Sequence, residues 1–197
     1  MNLNTIYFLH EIGGKKTQED YIWPPAGTAS AEDKIFIICD GVGGSENGEL
    51  ASKLISEFVA SALQEIPAST LSATVINDIL LQAQQKLIDH AAQYALNTDM
   101  ATTFTLLVLN DDKAFIAWCG DSRVYHIRKE SVLYKTSDHS LVNTLVKKGE
   151  ITEQEARSHP QKNIILKAIK ADYSPIEAEA NWITNIEDGD YFMRCTD

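Results

Sequence analysis

The chain has 197 residues, enough for one domain with a substantial core, and its 44% apolar and 23% charged residues are those of an ordinary globular protein. A net charge of −11 with no basic stripe argues against a nucleic-acid partner and against binding to an anionic membrane surface. No apolar run approaches the ~20 residues that span a bilayer, and residues 1–10 carry no basic leader, so the expected location is the cytosol.

The apolar residues near the start place a first strand within 4–11, and a second is expected at 20–23. Between it and a third strand at 34–39, the stretch Pro24-Pro25-Ala26-Gly27 reads as a surface loop. Two amphipathic helices follow. Leu50, Leu54, Ile55, Phe58, Val59, Ala62 and Leu63 recur at helical spacing, as do Ile76, Ile79, Leu80, Ala83, Leu87, Ile88 and Ala91. Lys53, Glu57, Gln84, Gln85 and Asp89 are assigned to the outer faces. The period then changes to that of strands at 102–109, 113–119, 123–127 and 131–135, with connections short enough for antiparallel hairpins. A short helix is expected over 141–146 with Asp138 capping it, and another from Thr152, whose capping box is completed by Glu155. Late strands are read at 176–183 and 190–194. This order is that of an α+β protein in which helices cover sheet.

Three apolar runs end on an aspartate with a cysteine just upstream: Cys39-Asp40, Cys119-Gly120-Asp121 and Cys195-Thr196-Asp197. A carboxylate at the end of a buried strand requires a cation, a hydrogen-bond network or solvent. Three at equivalent strand ends imply one cation site, and oxygen ligands suit Mg²⁺, Mn²⁺ or Ca²⁺ rather than zinc or copper. The cysteines are too few and too far apart for a zinc motif or a disulfide framework, and read as small core residues.

The sharpest motif is Asp40-Gly41-Val42-Gly43-Gly44, a carboxylate followed by glycines that let backbone approach a ligand closely. It lacks the Gly-Lys-Ser/Thr of a P-loop. Glu19 and Asp20 are adjacent carboxylates that face opposite sides of a strand, one able to reach a metal-held water and the other a structural network. Gly120-Asp121-Ser122-Arg123 reads either as a good turn sequence or as a metal ligand, Asp121, braced by Arg123, and His139 reads as a structural, hydrogen-bonding histidine. The turn Asp188-Gly189-Asp190 is given no function.

The ordered set of motifs resembles the metal-dependent serine/threonine protein phosphatases of the type 2C class, in their bacterial form. It comprises Gln18-Glu19-Asp20, Asp40-Gly41-Val42-Gly43-Gly44, Gly48-Glu49-Leu50-Ala51-Ser52 and Met100-Ala101-Thr102-Thr103. After these come Gly120-Asp121-Ser122-Arg123, Ser137-Asp138-His139-Ser140, Gly149-Glu150-Ile151-Thr152, His159-Pro160 and Cys195-Thr196-Asp197.

The resemblance implies a single domain over 1–197, a four-layer α/β/β/α sandwich of two antiparallel sheets flanked by helices, with a mobile flap over about 138–163. It implies two Mn²⁺ or Mg²⁺ ions and a phosphorylated protein substrate. Asp40 would bridge both ions, the Gly41 carbonyl would bind one of them, and Glu19 would hold a water on it. Asp197 would bind the other ion, and Asp121 matches a third, weaker position. A water between two cations loses its proton near neutral pH and attacks phosphorus without a protein nucleophile.

Lys15 stands where the family's arginine grips the substrate phosphate, a point charge in place of a bidentate fork, with Lys16 as the neighbouring candidate. Val42 stands where eukaryotic members have a histidine. The family pattern continues past the position of Asp197 into a further helix, a final strand and one more metal-binding aspartate. The expectation is therefore a C-terminally truncated sandwich lacking its last helix and strand, with one well-occupied cation and an exposed sheet edge open to self-association. The alternative expectation is a non-catalytic binding module that keeps the phosphatase fold.

Overall fold

The computed structural model describes residues 5–14, 17–42, 47–96 and 99–196. A five-stranded antiparallel sheet is ordered β1 (Asp20–Trp23), β2 (Ile35–Asp40), β4 (Phe104–Asn110), β5 (Lys113–Cys119) and β9 (Glu179–Ile183). A three-stranded antiparallel sheet has β10 (Tyr191–Cys195) and β7 (Ser131–Lys135) on either side of β6 (Arg123–Arg128). A short ladder joins β3 (Ala101–Thr102) to β8 (Ile169–Lys170). The expected α+β fold with two antiparallel sheets is the architecture found, with the two long helices packed on the five-stranded sheet.

The apolar runs of β2 and β4 are nearly continuous because both faces of these strands are buried. Ile37, Cys39, Phe104, Leu106 and Val108 pack against the two long helices, α1 (Gly48–Gln64) and α2 (Ala73–Gln93). Phe36, Leu107 and Leu109 turn the other way and meet Val124 and Phe192 of the second sheet. The helices bury the faces their spacing marks, through Ala51, Ile55, Val59 and Leu63 on α1 and Ile76, Leu80 and Leu87 on α2. Each fully buried aliphatic side chain of this kind contributes about 1.5–3 kcal/mol. Two short helices, α3 (Leu141–Lys147) and α4 (Glu153–Ser158), pack on each other. The Thr152–Glu155 capping box opens α4 as its sequence requires.

Four local expectations are corrected. Residues 5–11 form no strand: Ile6 packs between the sheets, but Tyr7 and Leu9 remain 88% and 86% exposed, so the segment gains too little burial to fix it as a strand. Gln84 is buried, not outward-facing, because its amide donates to the carbonyls of Lys170 and Ser174. The cap of α3 is Ser140, whose hydroxyl accepts from the Asn143 N–H, and Asp138 is engaged elsewhere. Finally, 120–122 is not a hairpin turn: β5 and β6 lie in different sheets, and this connection carries the chain from one to the other.

The 187–190 turn, which its sequence leaves unassigned, is a clamp. The Asp190 carboxylate accepts from Arg128 Nε at 2.6 Å and Nη2 at 2.8 Å, from the Glu187 N–H at 3.0 Å, and pairs with His126 Nε2 at 2.8 Å. Arg128, and then the Glu187 amide and His126, hold Asp190 well below the usual carboxylate range, against the opposing effect of burial. A depressed folded-state value means that this stabilisation is present above the ordinary carboxylate pKa and is lost as pH falls towards the depressed one. Asp190→Asn is therefore expected to lower the urea midpoint at neutral pH, and the gap from the parent chain should narrow steadily as pH falls below about 5. A gap constant across that range would contradict the clamp.

Candidate active site

Strand β2 delivers Asp40 to the end of the five-stranded sheet, and the backbone there is fixed on both sides. The Asp40 N–H donates to Thr103 Oγ1 at 3.0 Å, while its carbonyl accepts the Thr103 N–H at 2.8 Å and the Thr102 hydroxyl at 3.0 Å. These bonds divide the single expected strand 102–109 in two, since Thr103 turns to Asp40 between β3 and β4. The next residue is held as firmly: Gly41 N–H donates to the Glu19 carbonyl at 3.0 Å, and Gly41 bridges to Thr102. The Ser52 hydroxyl of α1 reaches the same Glu19 carbonyl at 2.7 Å. A Cβ on Gly41 would lie 2.5–2.8 Å from backbone atoms of Gly48, the first residue of α1, so only glycine lets the helix start approach the strand end.

Asp20 lies directly across from Asp40 in the β1–β2 ladder, which turns both side chains to the same face. Two like charges so placed repel, and a cation removes that cost. Sequence reading assigned the metal-water role to Glu19 and left Asp20 only a structural alternative. Asp20 Oδ2 accepts the Thr196 hydroxyl at 2.9 Å, which brings the end of β10 to the same place.

Asp121 is buried in the connection between the sheets. Thr103 ties that connection to Asp40, since its hydroxyl, which accepts from the Asp40 N–H, lies 2.8 Å from Ser122 Oγ. Gly120 there has φ +116°, and a Cβ would meet the Thr103 side chain at 2.7 Å. Arg123 does not brace Asp121: its guanidinium grips Asp138 through Nε at 2.8 Å and through Nη2. The pairing raises the pKa of Arg123.

His139 closes the other side of this connection. Its ring Nδ1 accepts the Gly120 N–H at 3.1 Å and its own N–H donates to the Gly120 carbonyl at 2.9 Å. A backbone N–H can only donate, so the proton of the neutral ring sits on Nε2, which donates to Glu179 Oε1 at 3.0 Å. Burial lowers the pKa of His139, with the Glu179 carboxylate opposing.

The donors gathered here are carboxylates and a backbone carbonyl, the hard oxygen set that Mg²⁺ and Mn²⁺ prefer. Among the described residues no three His, Cys, Asp or Glu side chains close into a metal-holding group. Lys15, Lys16, Gly43, Gly44 and Asp197 lie outside the described residues. Cys39 is pushed up by burial and then by the Asp40 charge, and Cys119 is pushed up to about 12 by burial. Neither thiol is a nucleophile at neutral pH. The residues that sequence reasoning missed are Thr103, Ser52, Ser122 and Thr196. Ser52, Thr103 and Ser122 are buried hydroxyls, each of which must find a partner.

A family model described as protein phosphatase 2C matches residues 10–173. The protein phosphatase PhpP of Streptococcus pneumoniae is 32% identical over 199 residues, covering 98% of this chain and 77% of that protein. The solved serine/threonine phosphatase PstP/Ppp of Mycobacterium tuberculosis superposes with a TM-score of 0.78 at 25% identity, over 92% of this chain and 73% of the other. That of S. agalactiae gives 0.69 at 31% identity, over 90% and 72%. The chain belongs to the protein phosphatase 2C family and is a serine/threonine phosphatase. Among the described residues, no helix is long and apolar enough to cross a membrane.

Proposed function

We infer that the chain hydrolyses phosphoserine and phosphothreonine in protein substrates at a two-cation site built on Asp40, using water as the nucleophile. The observation that carries this reading is the end of β2. Asp40, anchored by both backbone groups to Thr102 and Thr103, faces Asp20 across the ladder, next to the Gly41 carbonyl. When bound there, Mn²⁺ or Mg²⁺ supplies charge for the phosphoryl oxygens and acidifies water.

Within this reading Asp40 would hold both cations, and the Gly41 carbonyl and Glu19, through a water, would serve one of them. Asp197 would serve the other and Asp121 a weaker position. Rigid anchoring keeps the Asp40 oxygens in place while charge develops, so no reorganisation is required during reaction. Val42 leaves no histidine in the glycine motif, so the leaving hydroxyl takes its proton from water or from a group elsewhere in the site. Residues 1–197 form one domain in this account, and about 138–163 act as a flap beside the site. The cytosol, where free cysteines are the ordinary state, is the setting.

The test is release of phosphate from a phosphothreonine peptide. Release should require added Mn²⁺, stop with a chelator and return with excess metal. No release at any manganese concentration would overturn the reading. Lys15 is assigned the grip on the substrate phosphate. Lys15→Ala should lower kcat/KM by about 1–3 kcal/mol of transition-state stabilisation, with Lys15→Arg restoring it. Unchanged kinetics in Lys15→Ala would remove Lys15 from that role.

A further inference from the structure

We propose that His139 is a positioning residue that holds the Asp121-bearing connection in place and ties it to the segment that follows, so that metal affinity at Asp121 depends on it. The inference rests on the assignment of Asp121 above. Its basis is the number of separate elements that meet on one side chain and its backbone. The ring accepts the Gly120 N–H, the His139 N–H donates back to the Gly120 carbonyl, and the His139 carbonyl accepts the Leu166 N–H at 2.7 Å. The ring's Nε2–H is anchored on Glu179 of β9, and its face stacks on Trp118 of β5 at 6.1 Å between centroids. The pair of bonds to Gly120 fixes the peptide just before Asp121 from one side, while Thr103 and Ser122 fix the other. Leu141 N–H donates to the Ile164 carbonyl and Ser140 bridges to Ile165, so 139–141 and 164–166 run together. Displacement of the proposed flap is thus carried through His139 to the peptide that aims Asp121.

The ring offers two nitrogens with different duties, which makes the role separable from simple packing. Asparagine places an amide oxygen near the position of Nδ1 and can still accept from Gly120. Glutamine reaches the position of Nε2 and can serve Glu179, but leaves the Gly120 N–H without its acceptor. Manganese titrations of the full chain, read by the electron paramagnetic resonance of free Mn²⁺, would be run on His139→Asn, His139→Gln, His139→Ala and Asp121→Asn. Amide exchange at Gly120 would be measured in the metal-free proteins.

Asp121→Asn should weaken the weaker binding event and leave the tighter one in place. His139→Gln and His139→Ala should weaken the same event about 10-fold and speed Gly120 exchange, as loss of outer-shell support does, whereas His139→Asn should stay close to the parent. If Asp121→Asn weakens that event but the asparagine and glutamine variants at 139 behave alike, His139 is not a positioning residue and the assignment of Asp121 stands. If Asp121→Asn changes neither event, both fall. Should His139→Ala fail to fold, the asparagine–glutamine comparison decides alone.

Discussion

Asp40→Asn is expected to abolish manganese-dependent phosphatase activity, by at least about 10³-fold in kcat/KM, while leaving the fold intact. The two halves of this expectation come from different atoms. The bonds to Thr102 and Thr103 that fix residue 40 in the sheet run through its backbone N–H and carbonyl, which asparagine retains. Asparagine halves the donor capacity for a cation, removes the charge that a bridging ligand must supply, and relieves the repulsion with Asp20 across the ladder. Stability should therefore stay within about 1 kcal/mol of the parent or rise slightly. Calorimetric titration with Mn²⁺ and a urea melt on the same preparation check both halves. Retained manganese affinity would remove Asp40 from the centre of the site.

Gly41→Ala is expected to damage stability and activity together. A Cβ at this position lies 2.5 Å from the Gly48 carbonyl carbon, 2.6 Å from its oxygen and 2.8 Å from its Cα, all backbone atoms that cannot rotate away. Either the start of α1 or the end of β2 must move. Overpacking of this kind costs about 1–3 kcal/mol. A shift of the Gly41 peptide also moves the carbonyl proposed as a ligand and strains the bond to Glu19. A misplacement near 1 Å at reacting groups lowers rate about 10²-fold, and that is the loss expected in kcat/KM. Gly14→Ala, where an added Cβ meets nothing within 4 Å, is the matched control and should be nearly silent. If Gly41→Ala melts with the parent and turns over normally, the close approach of α1 to β2 has no part in the site.

The elements were largely legible from local pattern. The helical spacing of Ile55, Val59 and Leu63, and of Ile76, Leu80 and Leu87, marks the buried faces that α1 and α2 use. Alternation and short connections give β4 to β5 and β6 to β7 as antiparallel pairs. The segment 5–11 reads as a strand by the same signal, yet forms none, because an apolar residue states only that it can be buried, not that a partner is there to bury it. The sheet change between β5 and β6 was hidden for a related reason: a three-residue connection looks the same whether it closes a hairpin or steps between layers.

The sequence alone marks which residues can carry the chemistry: acidic side chains at strand ends and the glycines behind Asp40. The tertiary structure alone decided which of these meet. Asp40 is anchored by Thr103, 63 positions away; Asp20 is bonded to Thr196, 176 away; Arg128 locks Asp190, 62 away; and Arg123 pairs with Asp138 in place of Asp121. Periodicity reports the environment of a residue's own turn or strand. A hydrogen bond between two polar side chains leaves no periodic trace, because its geometry depends on how separate elements pack and on the requirement that every buried polar group be satisfied.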